Sequence, residues 1–112
     1  MTFAVTQDEP PLSYSTLAED PDLAEIVEMF VQEMPDRVSN LLHRFESRDL
    51  PELERAAHQL KGAAGSYGFH QLTPAATRLE AALKQHRSDE EIRAALDSLV
   101  SLCRGVRAGT GA

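Results

Sequence analysis

This chain of 112 residues is short of several residue types on which common functional sites depend. Its one cysteine, Cys103, excludes an internal disulfide framework and a zinc site built from several thiolates. Tryptophan is absent and aromatic residues make up only 5 %, which argues against a base-stacking surface. The 11 Lys and Arg are outnumbered by 18 Asp and Glu, and the net charge of -7 is unsuited to binding phosphate backbones. We therefore expect no nucleic-acid partner.

Long apolar runs and alternating patterns are missing as well. No segment approaches the ~18 apolar residues of a membrane span. The first residues lack the basic start and apolar run of a secretory signal. No stretch alternates apolar and polar residues with a period of two, so we predict no strands. These absences predict a cytoplasmic protein without a membrane partner.

Apolar residues instead recur three and four positions apart along most of the chain, which is typical of amphipathic helices. The first stripe follows Asp20-Pro21, an N-cap with proline at the first helical position, and Pro35 is expected to break or kink it. Later stripes follow Asp49-x-x-Glu52 and Ser88-x-x-Glu91, both of which have the form of a capping box.

Short connections between these stripes favour an all-α fold, an antiparallel four-helix bundle with a short extra N-terminal helix. We assign the bundle to residues 17–107. Residues 1–16 contain Pro10-Pro11, which disfavours helix and sheet pairing, and are expected to be a flexible lead-in. Residues 108–112 are expected to be a disordered tail.

The helix predicted for about residues 50–67 has an unusual outer face. At about 100° per residue, Leu60 and its neighbours Ala57 and Ala64 fall within roughly 40° of Leu53 and form the core stripe. His58, Gly62 and Gly65 lie together at about 120–180° from Leu53, and Lys61 flanks them at about 80°.

Glycine costs about 1 kcal/mol relative to alanine inside a helix, and Gly62 and Gly65 gain no core packing on this face. Side chains lean toward the N-terminus of a helix, so a large residue at position 62 would cover the imidazole of His58. The pattern predicts an exposed histidine that another macromolecule can approach closely.

Neutral imidazole is a nucleophile near physiological pH, and Lys61 can offset the charge of a dianionic group placed on it. These residues indicate an acceptor for a phosphoryl group. The helix offers no second nucleophile or oxyanion hole, so a partner has to supply the remaining chemistry.

The segment His58-Gln59-Leu60-Lys61-Gly62, followed by Gly65 and Gly68, resembles the H-x-L-K-G…G motif of histidine-containing phosphotransfer (HPt) domains. The resemblance covers about residues 20–106 and implies a free-standing phosphocarrier without independent catalytic activity. His58 would be phosphorylated, most often on Nε2, and would pass the phosphoryl group between receiver-domain aspartates. Lys61 would lie near the phosphoryl group, Gly62 and Gly65 would give the partner access, and Gly68 would end the helix.

The resemblance also implies roles for two residues of the following helix. Glu80 is the candidate that contacts and orients His58, and Lys84 would add positive charge. Family members often have glutamine at or near the position of Glu80, and a carboxylate there would repel a phosphoryl group. The partners implied are receiver domains of response regulators or hybrid histidine kinases. They would bring the Mg²⁺, so we expect no metal or other cofactor bound stably by this chain.

A helical adaptor that binds a receiver or kinase without carrying phosphate is the main alternative, and in it His58 would be dispensable. A true enzyme is a weaker alternative, because the sequence has no Gly-rich nucleotide loop. A di-iron bundle needs Glu-x-x-His on two helices, and no histidine here follows a glutamate by three positions. Glu54, one turn before His58, is expected to form an ion pair with it.

Overall fold

A computed structural model describes residues 11–111, and 71 % of these residues are helical. In chain order the elements are β1 (Ser13–Tyr14), α1 (Pro21–Glu46), α2 (Leu50–Ser66), α3 (Leu72–Lys84), α4 (Asp89–Arg104) and β2 (Val106–Arg107). Helix α1 packs on α2 and α4, and α3 also packs on α2 and α4. The all-α class predicted from the sequence is therefore confirmed.

Helix α1 runs for 26 residues without interruption through Pro35, so of the break or kink expected there the break is wrong. No separate short helix precedes it within the described residues. The proline lies on the exposed side, while one apolar stripe continues in phase on both sides of it. The buried members of that stripe are Val27, Phe30, Met34, Val38, Leu41 and Phe45. Burying each of them contributes roughly 1.5–3 kcal/mol, which together exceeds the cost of about 3 kcal/mol for an internal proline.

The sequence predicts N-caps for three helices, and the structure shows whether each of them forms. Asp20 accepts a hydrogen bond from the backbone N–H of Asp22 at 2.9 Å, and Ser88 Oγ accepts one from the N–H of Glu91 at 3.2 Å, so both caps are confirmed. Asp49 makes no side-chain cap bond, and the capping box predicted there is wrong. Its carboxylate accepts instead from Arg44 Nη1 at 3.3 Å.

Two strands of two residues each connect the beginning and the end of the described chain. β1 pairs with β2 in parallel, with Ser13 opposite Val106, and the Ser13 N–H donates to the carbonyl of Gly105 at 2.8 Å. The expectation of no strands is wrong at these positions. The prolines at 10 and 11 lack an N–H group, but Ser13 has one and can pair.

The predicted flexible lead-in is also wrong from residue 13 onward. Ser13 and Ser15 are buried, and the Thr16 N–H donates to the carbonyl of Gly68 at 3.0 Å. The rest of that prediction, residues 1–10, lies outside the described residues. Of the predicted tail, residues 108–111 form no helix or strand and residue 112 lies outside the described part.

Candidate functional site

His58 lies near the middle of α2 and faces solvent. Its side chain is 65 % exposed, while the core stripe of the same helix, namely Leu53, Ala57, Leu60 and Ala64, is at most 2 % exposed. The core face predicted by the helical wheel is thus confirmed, and the imidazole lies on the other side. A partner molecule can reach the ring without any rearrangement of the bundle.

The outer face of α2 after His58 is open above both internal glycines. A Cβ atom built at Gly62 or at Gly65 would meet nothing within 4 Å. Neither glycine is therefore required by packing within the described residues. The helix gives up about 1 kcal/mol at each glycine relative to alanine, and no packing within the described residues offsets this cost.

Gly68 follows the C-cap Tyr67 of α2 and has a φ of 83°. The Phe69 N–H donates to the Ala64 carbonyl at 2.8 Å, and the Gly68 N–H donates to the Gly65 carbonyl at 3.3 Å. These two bonds form a Schellman motif, in which the left-handed position favours glycine. A Cβ at Gly68 would also lie 2.5 Å from Ser15 Oγ, so glycine lets the segment before α1 approach this turn.

Glu80, on α3, makes the central contact of the site. Its Oε2 atom lies 2.8 Å from His58 Nδ1, and its Oε1 atom accepts a hydrogen bond from Lys61 Nζ at 2.7 Å. The side chain is 7 % exposed, so the carboxylate is almost fully removed from water. An ionised carboxylate can only accept hydrogen bonds, so His58 Nδ1 has to carry the proton. The lone pair of the neutral ring is then on Nε2.

Lys84, one turn after Glu80 on the same helix, adds a second ammonium group at 3.4 Å from Glu80 Oε2. The pKa of Glu80 is lowered from 4.5 to about 2, first by the hydrogen bond from Lys61 and further by those from His58 and Lys84. Burial acts in the opposite direction but is outweighed. Glu80 is therefore a carboxylate at neutral pH, which supports the protonation of Nδ1.

An open hollow of about 470 Å³ adjoins the imidazole on the side of the first turns of α2. Its lining residues are Pro51, Glu54, Arg55, His58, Glu80 and Lys84. The ion pair expected between Glu54 and His58 does not form, because the ring turns to Glu80 on the next helix. Sequence reasoning did not single out Arg55, although its position three residues before His58 places it on the same side of the helix.

A larger groove of about 580 Å³ lies elsewhere, between α1 and the end of α4. It is lined mainly by apolar side chains and contains none of the site residues predicted from the sequence. Cys103 borders it, yet that thiol is buried and burial raises its pKa to about 12. The thiol of Cys103 is therefore structural, because a protonated buried thiol is a poor nucleophile.

The structure thus brings His58, Lys61, Glu80 and Lys84 together and leaves Gly62 and Gly65 open beside them, while Gly68 ends the helix. Within residues 11–111 no group of three or more His, Cys, Asp or Glu side chains could hold a metal ion. Over the same residues, no helix combines the length and the apolar character needed to span a bilayer.

Comparison with known proteins agrees with this geometry. The family model described as Hpt domain matches residues 25–108. No curated protein and no solved structure matches the chain significantly. Hpt domains are phosphocarriers rather than enzymes, and they act in two-component signalling with receiver or kinase components. Because the matched residues make up most of the chain and include the whole His58 site, this protein belongs to the Hpt domain family.

Proposed function

We propose that this chain is a histidine phosphocarrier that accepts a phosphoryl group from one receiver aspartate on His58 and donates it to another. The observation that carries the proposal is the exposed imidazole whose Nδ1 donates to the buried carboxylate of Glu80. This contact holds the ring in one orientation and directs its only lone pair, on Nε2, away from the protein.

The transfer needs no proton movement at the histidine. The Nε2 lone pair attacks the phosphorus of an aspartyl phosphate, the N–P bond forms, and the P–O bond breaks with its electron pair returning to the carboxylate of the aspartate. Nδ1 keeps its proton throughout, so the phosphorylated ring is cationic and Glu80 stabilises it. In the reverse step the ring leaves as neutral imidazole.

The partner supplies most of the remaining chemistry in this proposal. A receiver domain brings its own Mg²⁺ and aspartate, and in-line transfer depends mainly on alignment and charge neutralisation. Lys61 and Lys84 provide positive charge on the side of the carrier. Gly62 and Gly65 leave the surface next to the ring low enough for the receiver to approach. The setting we propose is the cytoplasm, and the carrier needs no cofactor of its own.

The carboxylate at position 80 does not contradict this role. Repulsion between Glu80 and a phosphoryl group is offset because the carboxylate already binds both Lys61 and Lys84. The carboxylate of Glu80 contacts Nδ1, whereas the phosphoryl group would be bonded to Nε2. Because these two nitrogens lie on different sides of the ring, the two anionic groups stay apart.

The direct test is incubation of the chain with a phosphorylated receiver domain from the same organism. We expect label to move to the chain, to be acid-labile and base-stable, and to be lost in His58→Gln. A matched control is His70→Gln, which alters an exposed histidine outside the site and should transfer normally. Binding of receivers without any transfer, equal in the chain and in His58→Gln, would support the adaptor and contradict the proposal.

A further inference from the structure

The two lysines of the chain both contact Glu80, but they are held unequally. Lys61 Nζ donates to Glu80 Oε1 at 2.7 Å and does not share this oxygen with His58 or Lys84. The side chain of Lys61 is 31 % exposed. Lys84 lies 3.4 Å from Oε2, the oxygen that also accepts from His58 Nδ1, and is 59 % exposed. A longer contact on a shared oxygen in water is the weaker of the two.

Position distinguishes the lysines as well. Lys84 lines the hollow beside His58 together with Arg55, whereas Lys61 is not among its lining residues. A phosphoryl group on Nε2 that extends into this hollow meets the ammonium of Lys84 first. It carries about −1.5 to −2 charges near neutral pH and attracts any cation within a few ångströms.

The free-energy cost of breaking the contact with Glu80 also differs between the two lysines. Glu80 is only 7 % exposed, and an unpaired buried carboxylate is strongly destabilising. If Lys84 leaves, Oε1 keeps Lys61 and Oε2 keeps the Nδ1–H group of His58. If Lys61 leaves, Oε1 loses its hydrogen bond in a place where water has little access.

We propose that Lys84 turns from Glu80 to the phosphoryl group when His58 is phosphorylated, while Lys61 remains on Glu80 as the residue that positions the carboxylate. This inference rests on the proposed function of His58. Lys84 is then the counter-charge of the phosphorylated form. Lys61 acts through Glu80 and the orientation of the imidazole.

The test uses the full chain phosphorylated with phosphoramidate, in which the P–N bond of the reagent breaks, ammonia leaves and the N–P bond to His58 forms. Titration followed by ³¹P NMR gives the proton affinity of the phosphoryl group. We expect Lys84→Gln to raise this affinity about three- to fivefold, because a cation about 4 Å away is lost. Lys61→Gln should change it less than Lys84→Gln. Arg78→Gln removes a charge from the same helix away from the hollow and should leave it unchanged.

A second readout avoids substitution of the lysines. In the unsubstituted chain the Nζ ¹⁵N signal of Lys84 should move on phosphorylation, whereas that of Lys61 should stay in place. An equal or larger effect of Lys61→Gln, or movement of the Lys61 signal alone, would overturn the inference and leave the proposed function standing. The titrated ³¹P signal is the one that His58→Gln lacks, because phosphoramidate also reacts with other exposed histidines. Failure of His58 to accept label from a phosphorylated receiver domain would instead contradict the proposed function itself.

Discussion

At the scale of single residues, Glu80 connects the chemistry of the site to the stability of the fold. Its carboxylate is held by three groups from two helices, although it is nearly removed from water. The pKa of Glu80 is lowered from 4.5 to about 2, chiefly by Lys61. A carboxyl group whose pKa is lower in the folded state stabilises the fold above its unfolded value, and this contribution is lost as the pH falls through the folded value.

Glu80→Gln should therefore lower the free energy of unfolding at pH 7, with a deficit that disappears as the pH falls from about 5 toward 2. The shift corresponds to about 3 kcal/mol, and screening of the exposed lysines reduces this to about 1–2 kcal/mol. Urea unfolding at several pH values measures the difference. Glu25→Gln, at an exposed position of α1, should show no such trend. A deficit that stays constant from pH 7 to pH 2 would contradict the assignment.

Gly62 tests the steric part of the account. Gly62→Gln should stabilise the chain by several tenths of a kcal/mol, because glutamine is the better helix former and a Cβ at this position meets nothing within 4 Å. The same change should slow phosphotransfer at least about tenfold, since a factor of ten needs only about 1.4 kcal/mol at the transition state. Rates and urea midpoints measure both effects. Ala94→Gln, on the exposed face of α4, serves as the control.

An unchanged transfer rate in Gly62→Gln would show that the open surface beside His58 has another cause. A large loss of stability would contradict the absence of internal packing at this position. The two readouts are independent, because one concerns only the folded chain and the other its complex with a receiver.

At the scale of elements, α1 shows how packing can outweigh a local signal. A proline inside a helix removes one hydrogen bond and crowds the preceding turn, yet α1 continues through Pro35 because its buried stripe stays in phase. The helices themselves could be predicted because their apolar spacing is a local property. The continuity of α1 and the missing cap at Asp49 could not, because both depend on contacts with distant or competing groups, such as Arg44 for Asp49.

Pro35→Ala should raise the stability of the chain by about 1–2 kcal/mol, because it restores one backbone donor and relieves the preceding turn, less the added entropy of the unfolded chain. Thermal unfolding measures the change. Phosphotransfer should be unaffected, since Pro35 lies on the groove between α1 and α4 and not on the hollow beside His58. A lower melting temperature would mean that the proline supports the path of α1.

At the scale of the whole molecule, the two ends of the described chain lie side by side and pair through β1 and β2. Ser13 pairs with Val106, and position 105 needs glycine because a Cβ there would clash with the carbonyl oxygen of Pro11. Strands of two residues leave no readable alternation, and their pairing joins segments far apart in sequence, so no local pattern could predict them.

More of the candidate site than of the strand pairing could be predicted from the sequence. The exposure of His58 and the position of Gly62 follow from helical geometry in a single element, and both were predicted. The contact of Glu80 with His58 was anticipated only through the family resemblance, because it joins two helices. The contact of Lys61 with Glu80 was not predicted. The lysine side chain is long enough to reach several partners, and only the packing of α2 on α3 selects Glu80 among them.

The most direct measurement of the central claim is the identity of the nitrogen that carries phosphorus. ³¹P–¹⁵N correlation NMR of the ¹⁵N-labelled chain, phosphorylated by a receiver domain, reports this atom. With His58 Nδ1 occupied by Glu80, we predict that phosphorus is bonded to Nε2 of His58 and that Nδ1 retains its proton. Phosphorus on Nδ1 of His58, or on a different histidine, would contradict the account.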